Sequence, residues 1–220
     1  GACAGLYTYF GTDDMHVTPD FPPEDEKRGG TDGDDPAASG YWIEACGIDD
    51  INADGAGVTK VSFKVMTGSN KPSDKISVRY YFNVKEVAGG IEAVNTAKEL
   101  YDQSSAEVET ADGILTGPFK YDKVPDTYYV DIAWDGYNIA NSGKKYQFIV
   151  GLYYGDKWDP KNDWSYEELK IFKEDDAFFG NGNEVRNDRI CVYDDGVLVG
   201  GTEPDGTVAE IPSPEPKATK

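Results

Sequence analysis

The sequence has very few of the side chains on which common catalytic and metal sites depend. Its 220 residues include one histidine and three cysteines. His16 lies in a stretch rich in Asp, Gly and Pro, so a Ser-His-Asp or Cys-His catalytic set cannot form around it in a folded domain. Cys3, Cys46 and Cys191 match neither a disulfide framework nor a zinc-binding spacing. We interpret each as a small buried hydrophobic residue, with a Cys46–Cys191 pair left open.

Basic residues and long apolar runs are also scarce. The chain has 21 Lys and Arg against 41 Asp and Glu, a formal net charge of -20. Nucleic acid and anionic membranes would be repelled by this charge, so we predict that neither is a partner, whereas a neutral polymer is not repelled. No apolar run approaches the roughly 20 residues of a membrane span. No signal segment begins at Gly1, but the first residues resemble the continuation of a longer protein.

The residues that are abundant indicate a β protein. Fifteen Tyr, nine Phe and four Trp accompany 25 Gly and 12 Pro, a composition typical of turn-rich β folds with aromatic surfaces. In "VTKVSFKVM", the side chains of Val61, Phe63 and Val65 share one face of a strand. The same alternation occurs in "KISVRYYFN", "TYYVDIAW" and "KYQFIVGLYYG", and "RICVYDDGVLVGG" predicts two short strands around a turn at Asp194-Asp195-Gly196. We predict an all-β fold, a two-sheet antiparallel jelly-roll sandwich, with a single helical turn near "AVNTAKELYD".

The chain divides into four segments by composition. Residues 1–11, "GACAGLYTYFG", contain helix-forming residues that end at Gly11, but an isolated helix this short is marginal in water. Residues 12–40 are rich in acids, prolines and glycines and predict a non-globular linker. Residues 41–205 contain the strand patterns, and residues 206–220 begin a second linker.

The loop "KWDPKNDWSY" (residues 157–166) contains a group of oxygen-bearing side chains. Asp159, Asn162 and Asp163 are spaced i, i+3 and i+4, so a tight loop can direct them at one point. Calcium prefers six to eight oxygen ligands of this kind, and the two carboxylates would repel each other without a cation. On the spacing alone, a solvated acidic turn is the alternative interpretation.

A second group of polar and aromatic residues alternates with the predicted core positions. It consists of Arg79, Tyr81, Tyr129, Gln147 and Tyr153. We predict that these side chains point outward from strands that are neighbours in one sheet. Tyrosine offers a flat apolar ring with a polar tip, and Arg and Gln offer hydrogen bonds for sugar hydroxyls. They therefore form a candidate sugar groove, for which ordinary cross-strand packing is the alternative.

Acidic residues are numerous enough to suggest a glycosidase, which cleaves its substrate with two carboxyl groups. The candidate pairs are Asp131 with Asp135 and Asp194 with Asp195. Both lie in polar segments with nothing apolar nearby to raise one pKa. The glycine-rich stretches precede no predicted helix, so no phosphate-binding loop is indicated. We predict that this part of the protein is not an enzyme.

Four segments together resemble a known family. In this order and spacing, "VRYYFNVKE", "YYVDI", "WDPKNDWSY" and "VYDDGVLVGGTEPDG" resemble the cellulose-binding module of carbohydrate-binding module family 3, from about Tyr41 to Asp205. The opening "GACAGLYTYFG" resembles the last helix of a family 9 glycoside hydrolase catalytic domain. The resemblance implies an extracellular, secreted, non-catalytic module of a family 9 endo-β-1,4-glucanase, which is compatible with a cellulosome. We expect it to be a monomer.

The resemblance also assigns functions to both candidate sites. It implies that the loop binds a structural calcium ion, completed by the carbonyl of Asn83 and the carboxylate of Glu86. The implied ligand set is Asn83, Glu86, Asp159, Asn162 and Asp163. Trp158 and Trp164 would then support the loop by packing on the sandwich. In the family, the "RYYF" strand contributes to a shallow groove, which agrees with the candidate sugar groove.

The resemblance further implies a subtype. Family members that grip crystalline cellulose carry a planar row of aromatic residues, one of them shortly before the "WD" loop. Here that position falls at Tyr154 and Gly155, and the segment 89–113 offers only Tyr101. The sequence is thus similar to the subtype that is fused to family 9 catalytic domains and guides single β-1,4-glucan chains into the catalytic cleft in cis. We expect "DFPP" (residues 20–23) to dock on the tyrosine-bearing face.

One alternative function comes from a different class. Cohesins, the protein-recognition modules of cellulose-degrading complexes, are also jelly-roll sandwiches, and a fold does not determine a function. The closing "VYDDGVLVGGTEP" favours the sugar-binding module over a cohesin-like one.

Overall fold

A computed structural model of the protein describes residues 40–51, 57–68, 73–98, 113–134, 146–154, 157–172 and 183–210. All of them lie in the second of the two units into which the chain divides, Asp34–Lys220. The predicted helix at 1–11, the docking of "DFPP" and Tyr101 lie outside the described residues. Within the described part of the chain, no helix is long and apolar enough to cross a membrane.

The first layer of the fold is a six-stranded sheet. Its strands are β1 (Tyr41–Ile51), β2 (Gly57–Thr67), β4 (Val94–Lys98), β7 (Tyr146–Tyr154), β8 (Lys170–Phe172) and β9 (Val185–Asn187). The order is β4-β7-β2-β1-β8, and β9 also pairs with β1. The pairing of β1 with β8 is parallel, and every other described pairing of this sheet is antiparallel.

The second layer is a five-stranded antiparallel sheet. Its strands are β3 (Ile76–Asn83), β5 (Ile114–Lys120), β6 (Thr127–Ala133), β10 (Cys191–Asp194) and β11 (Val197–Gly200). The order is β11-β10-β3-β6-β5, which places β3 at the centre. Asp195 and Gly196 have φ of 49° and 81°, so they form the tight turn that "DDG" predicts between β10 and β11. The predicted all-β jelly-roll sandwich is confirmed.

One hydrophobic core fills the space between the sheets. It combines Val61 and Phe63 of β2 with Val78, Tyr80 and Phe82 of β3, all of them fully buried. The alternating patterns thus predict the inward face correctly, because successive side chains of a strand point to opposite sides. Burial of this apolar area is the main term that stabilises the sandwich.

Two details differ from the sequence analysis or complete it. A 3-10 turn, Gly90–Ala93, lies where the predicted helical turn begins, but the residues that follow it, Val94–Lys98, form strand β4 and not helix. The segment pairs with β7 from Val94 opposite Tyr154 to Lys98 opposite Val150, and this long-range ladder overrides the local helix preference. Cys46 and Cys191 are both buried but lie on different sheets, and no disulfide bond joins them.

The outer face of the five-stranded sheet carries a second, smaller cluster. Tyr81, Tyr121, Cys191 and Tyr193 are buried there. The segment after β11 covers them, and its Glu203 carboxylate accepts hydrogen bonds from the hydroxyl of Tyr193 at 2.6 Å and from Lys123 Nζ at 3.0 Å. The chain reaches this position through Gly201, whose φ is 88°. A Cβ at Gly201 would lie 3.0 Å from the carbonyl oxygen of Ile190, so the "GGTEP" segment needs glycine there.

We expect the Glu203 anchor to make stability depend on acidic pH. Burial raises the pKa of its carboxyl group, but the hydrogen bonds from Tyr193 and Lys123 outweigh burial and hold that pKa below its ordinary value. The carboxylate therefore stabilises the fold above the unfolded-state pKa of about 4.3. This contribution is lost as the pH falls through the lower folded-state pKa. Glu203→Gln should cost about 1 kcal/mol near neutral pH, the difference between charged and neutral hydrogen bonds.

Urea unfolding at several pH values between neutral and strongly acidic tests this expectation. The free energy of unfolding should fall less steeply on acidification in Glu203→Gln than in the native protein. Glu210→Gln is the matched control, since Glu210 is exposed on the same segment. Parallel curves for the native protein and Glu203→Gln would contradict the anchor.

Candidate functional sites

The loop after β7 is held against the end of β3 by hydrogen bonds to the backbone of that strand. Ser165 N donates to the carbonyl of Tyr81 at 3.1 Å, and Tyr81 N donates to Ser165 Oγ at 2.8 Å. Asn83 N donates to Asp163 Oδ1 at 2.7 Å. The loop thus continues the hydrogen bonding of β3 past the point where its pairing with β10 has ended.

The sequence "DPKN" gives this loop its local shape. Pro160–Asn162 form one 3-10 turn, with Asp159 as the N-cap and Pro160 at the first position, where its missing N–H costs nothing. Asp159 Oδ1 accepts from Lys161 N at 3.2 Å. The turn directs the side chains of Asn162 and Asp163 toward the end of β3 and the turn after it, whereas the Asp159 carboxylate caps its own turn.

Glu86 completes this group from the turn after β3. Its carboxylate accepts hydrogen bonds from Asp159 N at 2.9 Å and from Asn162 Nδ2. The five predicted calcium ligands, Asn83, Glu86, Asp159, Asn162 and Asp163, are therefore neighbours, but Asp159 joins the others through its backbone N–H and not through its carboxylate. We refer to them as the oxygen cluster.

Asp163 is the buried member of the oxygen cluster, with 1% of its surface exposed. Its Oδ2 accepts from Trp158 Nε1 at 3.1 Å and from the hydroxyl of Tyr154 at 3.3 Å. Burial, with Glu86 nearby, raises the pKa of Asp163 well above its ordinary value. In the described residues no Lys or Arg forms an ion pair with Asp163 or Glu86. A cation would compensate these two carboxylates.

The oxygen cluster fits calcium better than a softer metal. Across the described ranges, no three His, Cys, Asp or Glu side chains lie close enough to hold a metal ion by themselves. An ion here would therefore need the amide oxygen of Asn162 and the backbone carbonyl of Asn83 in addition to the carboxylates. A mixed set of carboxylate, amide and carbonyl oxygens is the set that Ca²⁺ prefers.

The two tryptophans of the loop occupy different environments. Trp158 is buried and stacks on Tyr154, with ring centroids 4.7 Å apart and planes 12° apart. Its supporting role agrees with the sequence analysis. Trp164 is only half-buried, and its Nε1 donates to the carbonyl of Thr202 at 2.8 Å. The guanidinium of Arg189 lies 4.1 Å from the centroid of the Trp164 ring.

The candidate sugar groove is not formed by one sheet as predicted. Arg79, Tyr81 and Tyr129 lie on β3 and β6 of the five-stranded sheet. Gln147 and Tyr153 lie on β7, which pairs with β2 and β4 in the six-stranded sheet. The expectation that these residues share one sheet is therefore wrong. Alternation along a strand indicates which face a residue takes, but it does not indicate which sheet the strand joins.

Tyr81 also differs from its predicted environment. It points away from the main core, but it is fully buried beneath Tyr121 and the Glu203 segment. Its hydroxyl lies 2.6 Å from that of Tyr193. Tyr81 therefore supports the neighbouring surface from below and does not itself present a surface to a ligand.

Two rings and one guanidinium lie side by side at the surface of this sheet: Phe119 is exposed, and Tyr129 and Arg79 are half-buried. We call Phe119, Tyr129 and Arg79 the aromatic band. The Phe119 and Tyr129 centroids are 5.6 Å apart, and the Arg79 guanidinium lies 4.6 Å from the Tyr129 centroid. Arg79 is held from below by the ring of Tyr193 at 4.1 Å and by Asp131, which accepts from Arg79 Nε at 2.9 Å.

Phe119 is a member of the band that the sequence analysis missed. It is 45% exposed on the edge strand β5. The pairing of β5 with β6 shifts register between Thr116 and Phe119, so the alternation of "ILTGPFK" is interrupted there. The position of Phe119 opposite Tyr129 is therefore visible only in the assembled sheet.

Comparison with known proteins identifies the family of the chain. Residues 50–201 match the family model described as the cellulose binding domain. Endoglucanase A of Bacillus pumilus is 28% identical over an alignment of 216 residues. The alignment covers 93% of this chain and 28% of that protein. The chain therefore spans little more than a quarter of that curated relative.

Solved structures with the same fold include modules of cellulose-degrading proteins. The endoglucanase CelQ of Clostridium thermocellum, in complex with cellotetraose, has a TM-score of 0.57 and 19% identity, covering 76% of this chain and 26% of CelQ. The CBM3a-L domain of the scaffoldin cipA from the same organism has a TM-score of 0.52 and 19% identity, covering 81% and 98%. These likenesses establish the fold alone. Because the family match extends over every strand from β2 to β11 and includes the oxygen cluster, the chain belongs to the cellulose binding domains of carbohydrate-binding module family 3.

Proposed function

We propose that the chain is a non-catalytic accessory module that binds single β-1,4-glucan chains and presents them to a family 9 cellulase catalytic domain in cis. The observation that supports this best is the aromatic band. Phe119 and Tyr129 offer ring faces on which a pyranose can stack, and Arg79 and Asp131 provide polar atoms beside them. Such a band is narrow and accommodates one polysaccharide chain.

A catalytic role has no comparable support. Of the acid pairs considered, Asp131 is engaged by Arg79, and Asp195 is exposed in a turn beside Lys75. Neither lies in an apolar pocket of the kind that keeps a general acid protonated. The family match likewise favours binding over cleavage, and secretion follows from a role in degrading cellulose outside the cell.

The proposed preference for single chains is supported by the position of Tyr154. This residue takes the place near which crystal-gripping relatives carry an exposed aromatic ring. Here Tyr154 is 3% exposed, stacks on Trp158 and donates to Asp163. A ring in this position cannot contact a flat cellulose surface.

We include a structural calcium ion in the proposal. The oxygen cluster would hold it, and bound calcium would supply positive charge to the carboxylates of Asp163 and Glu86. Its effect would be to join the loop after β7 to the turn after β3, because the cluster takes members from both. No part of glucan binding by the aromatic band depends on the ion.

Calcium should therefore stabilise the protein. A cation at 100 times its dissociation constant that binds only the folded state adds about 2.7 kcal/mol to the free energy of unfolding. We expect chelation to lower the melting temperature and calcium to restore it. Asp163→Ala and the milder Glu86→Gln should reduce or abolish this response in differential scanning calorimetry.

Asp122→Asn is the matched control for this measurement. Asp122 is 86% exposed in the turn between β5 and β6, away from the oxygen cluster. Its response to calcium should equal that of the native protein. A melting temperature of the native protein that is insensitive to both chelator and calcium would remove the ion from the proposal.

Binding should be stronger to soluble glucan than to crystalline cellulose. We expect retardation in affinity electrophoresis with hydroxyethylcellulose and weak adsorption to microcrystalline cellulose. Phe119→Ala should weaken retention roughly fivefold, corresponding to about 1 kcal/mol for a truncated aromatic contact. Ile114→Ala is the matched control, since Ile114 is also exposed on β5 but lies outside the band. Tight adsorption to microcrystalline cellulose, or equal losses in both variants, would argue against this assignment.

The role in cis predicts a change in product pattern. Joining the module to its catalytic domain should raise the ratio of soluble to insoluble products on amorphous cellulose, because a chain held by the module is cut repeatedly. The ratio should stay low for the catalytic domain alone and for the domain mixed with the separate module. Equal ratios in all three samples would overturn the accessory role while leaving glucan binding possible to test by electrophoresis.

A further inference from the structure

A cavity opens at the oxygen cluster, of which Asn83, Asn162 and Asp163 line it, and it is not part of the aromatic band. Its volume is about 170 Å³. Five parts of the chain form its walls: the end of β3, the turn between β5 and β6 with Val124, the loop with Trp164, the segment before β10 with Arg189, and the segment after β11 with Pro204.

The size of the pocket fits one six-membered ring. An engineered protein cavity of about 150 Å³ accommodates benzene, so this pocket has room for one pyranose but not for two. A calcium ion would occupy only a small part of it. Val124, Trp164 and Pro204 line the pocket but belong to no predicted metal site, so the pocket is more than the space for an ion.

The lining of the pocket suits a neutral, hydroxyl-rich ligand. Two basic residues, Lys161 and Arg189, are matched by two acidic residues, Asp163 and Glu167. Such a balanced lining, in a chain of net charge -20, gives no attraction for an anion. The Trp164 ring provides an apolar wall beside these polar groups, and one apolar ring with several hydrogen-bonding groups is the usual composition of a sugar site.

The Trp164 wall is held in a fixed orientation. Its Nε1 donates to the carbonyl of Thr202, and Arg189 packs on its ring. Arg189 in turn forms an ion pair with Glu167. A rigid wall of this kind loses little entropy when a ligand binds.

We infer that this pocket binds one terminal pyranose unit of a β-glucan chain. The inference rests on the proposed ligand class but uses a different part of the molecule. The last ring of a chain is linked on one side only and can enter a walled, partly open pocket, whereas an internal unit is linked on both sides and fits the open aromatic band. The module then has two separate contacts with glucan, one for the end of a chain and one for its length.

The experiment is a ¹H–¹⁵N NMR titration of the full chain in saturating calcium, so that calcium binding cannot account for any shift. The ligands are glucose, cellobiose and cellotetraose, with acyclic sorbitol as a control for non-specific effects of polyols. Glucose at millimolar concentration should shift the signals of Val124 and the Trp164 indole N–H in a saturable way. Sorbitol should not.

A pair of variants in one turn separates the pocket from the rest of the surface. Val124→Tyr fills the pocket from its wall and should abolish the glucose-induced shifts. Asp122→Tyr adds the same ring two residues away, where the side chain is exposed and outside the lining. It should titrate like the native protein. Thermal melts of both variants establish that they are folded; if Val124→Tyr is not, Glu167→Ala replaces it, with Glu210→Ala as its control, since Glu210 is exposed and outside the lining.

The outcomes distinguish this inference from the proposed function. One outcome is that cellotetraose shifts the NMR signals of the aromatic band (Arg79, Tyr129 and Phe119) and leaves those of Val124 and Trp164 unchanged. In that case the pocket assignment is wrong and the proposed role of the aromatic band stands. If the pocket signals respond to sorbitol as strongly as to glucose, or respond equally in both turn variants, the pocket assignment is also wrong. If Val124 and Trp164 respond to glucose and the band does not respond to cellotetraose, the pocket stands and the proposed role of the band fails.

Discussion

The arrangement of the oxygen cluster and of the pocket depends on the hydrogen bonds that the buried carboxylate of Asp163 accepts. It accepts hydrogen bonds from Asn83 N at the end of β3 and from the side chains of Tyr154 and Trp158 around the end of β7. These strands belong to different sheets, so one side chain joins the two layers at this end of the sandwich. Burying a carboxylate is costly unless donors surround it, and three donors meet it here. The loop that begins at Trp158 is thereby fixed to both sheets.

Strand β3 connects the oxygen cluster and the pocket to the main core and to the aromatic band. Its inward residues, such as Tyr80 and Phe82, fill the main core, and its outward Arg79 carries one end of the aromatic band. Its last residue, Asn83, belongs to the oxygen cluster and lines the pocket. A central strand is hydrogen-bonded on both sides and so moves little. The proposed sites for sugar and for metal are therefore held in a constant geometry relative to each other.

The outer face of the five-stranded sheet shows how a second layer of packing prepares a binding surface. The Glu203 segment buries Tyr81 and Tyr193 and receives hydrogen bonds from Tyr193 and Lys123. Tyr193 then supports the guanidinium of Arg79, which in turn packs against Tyr129. The exposed band thus stands on a buried layer. This layering separates the residues that the sequence suggests as ligand contacts into two groups. Tyr81 is buried and supports the surface, whereas Tyr129 and Arg79 belong to the surface itself.

The sequence by itself determined the features that depend on near neighbours along the chain. Alternation along β2, β3 and β6 determined which residues face the core, since side chains of a strand point to opposite sides. The "DPKN" turn determined that Asp159, Asn162 and Asp163 share one tight turn, because all three lie within five residues, whereas tertiary contacts decided that only Asn162 and Asp163 reach Glu86 and β3 with their side chains. Tertiary structure alone decided which sheet each strand joins, and hence that Gln147 and Tyr153 lie apart from Arg79. It also decided that Tyr81 is buried, since the covering Glu203 is 122 residues away. Contacts at such separations leave no periodic signal in the local sequence, because they depend on which strands pair and on how loops close over them.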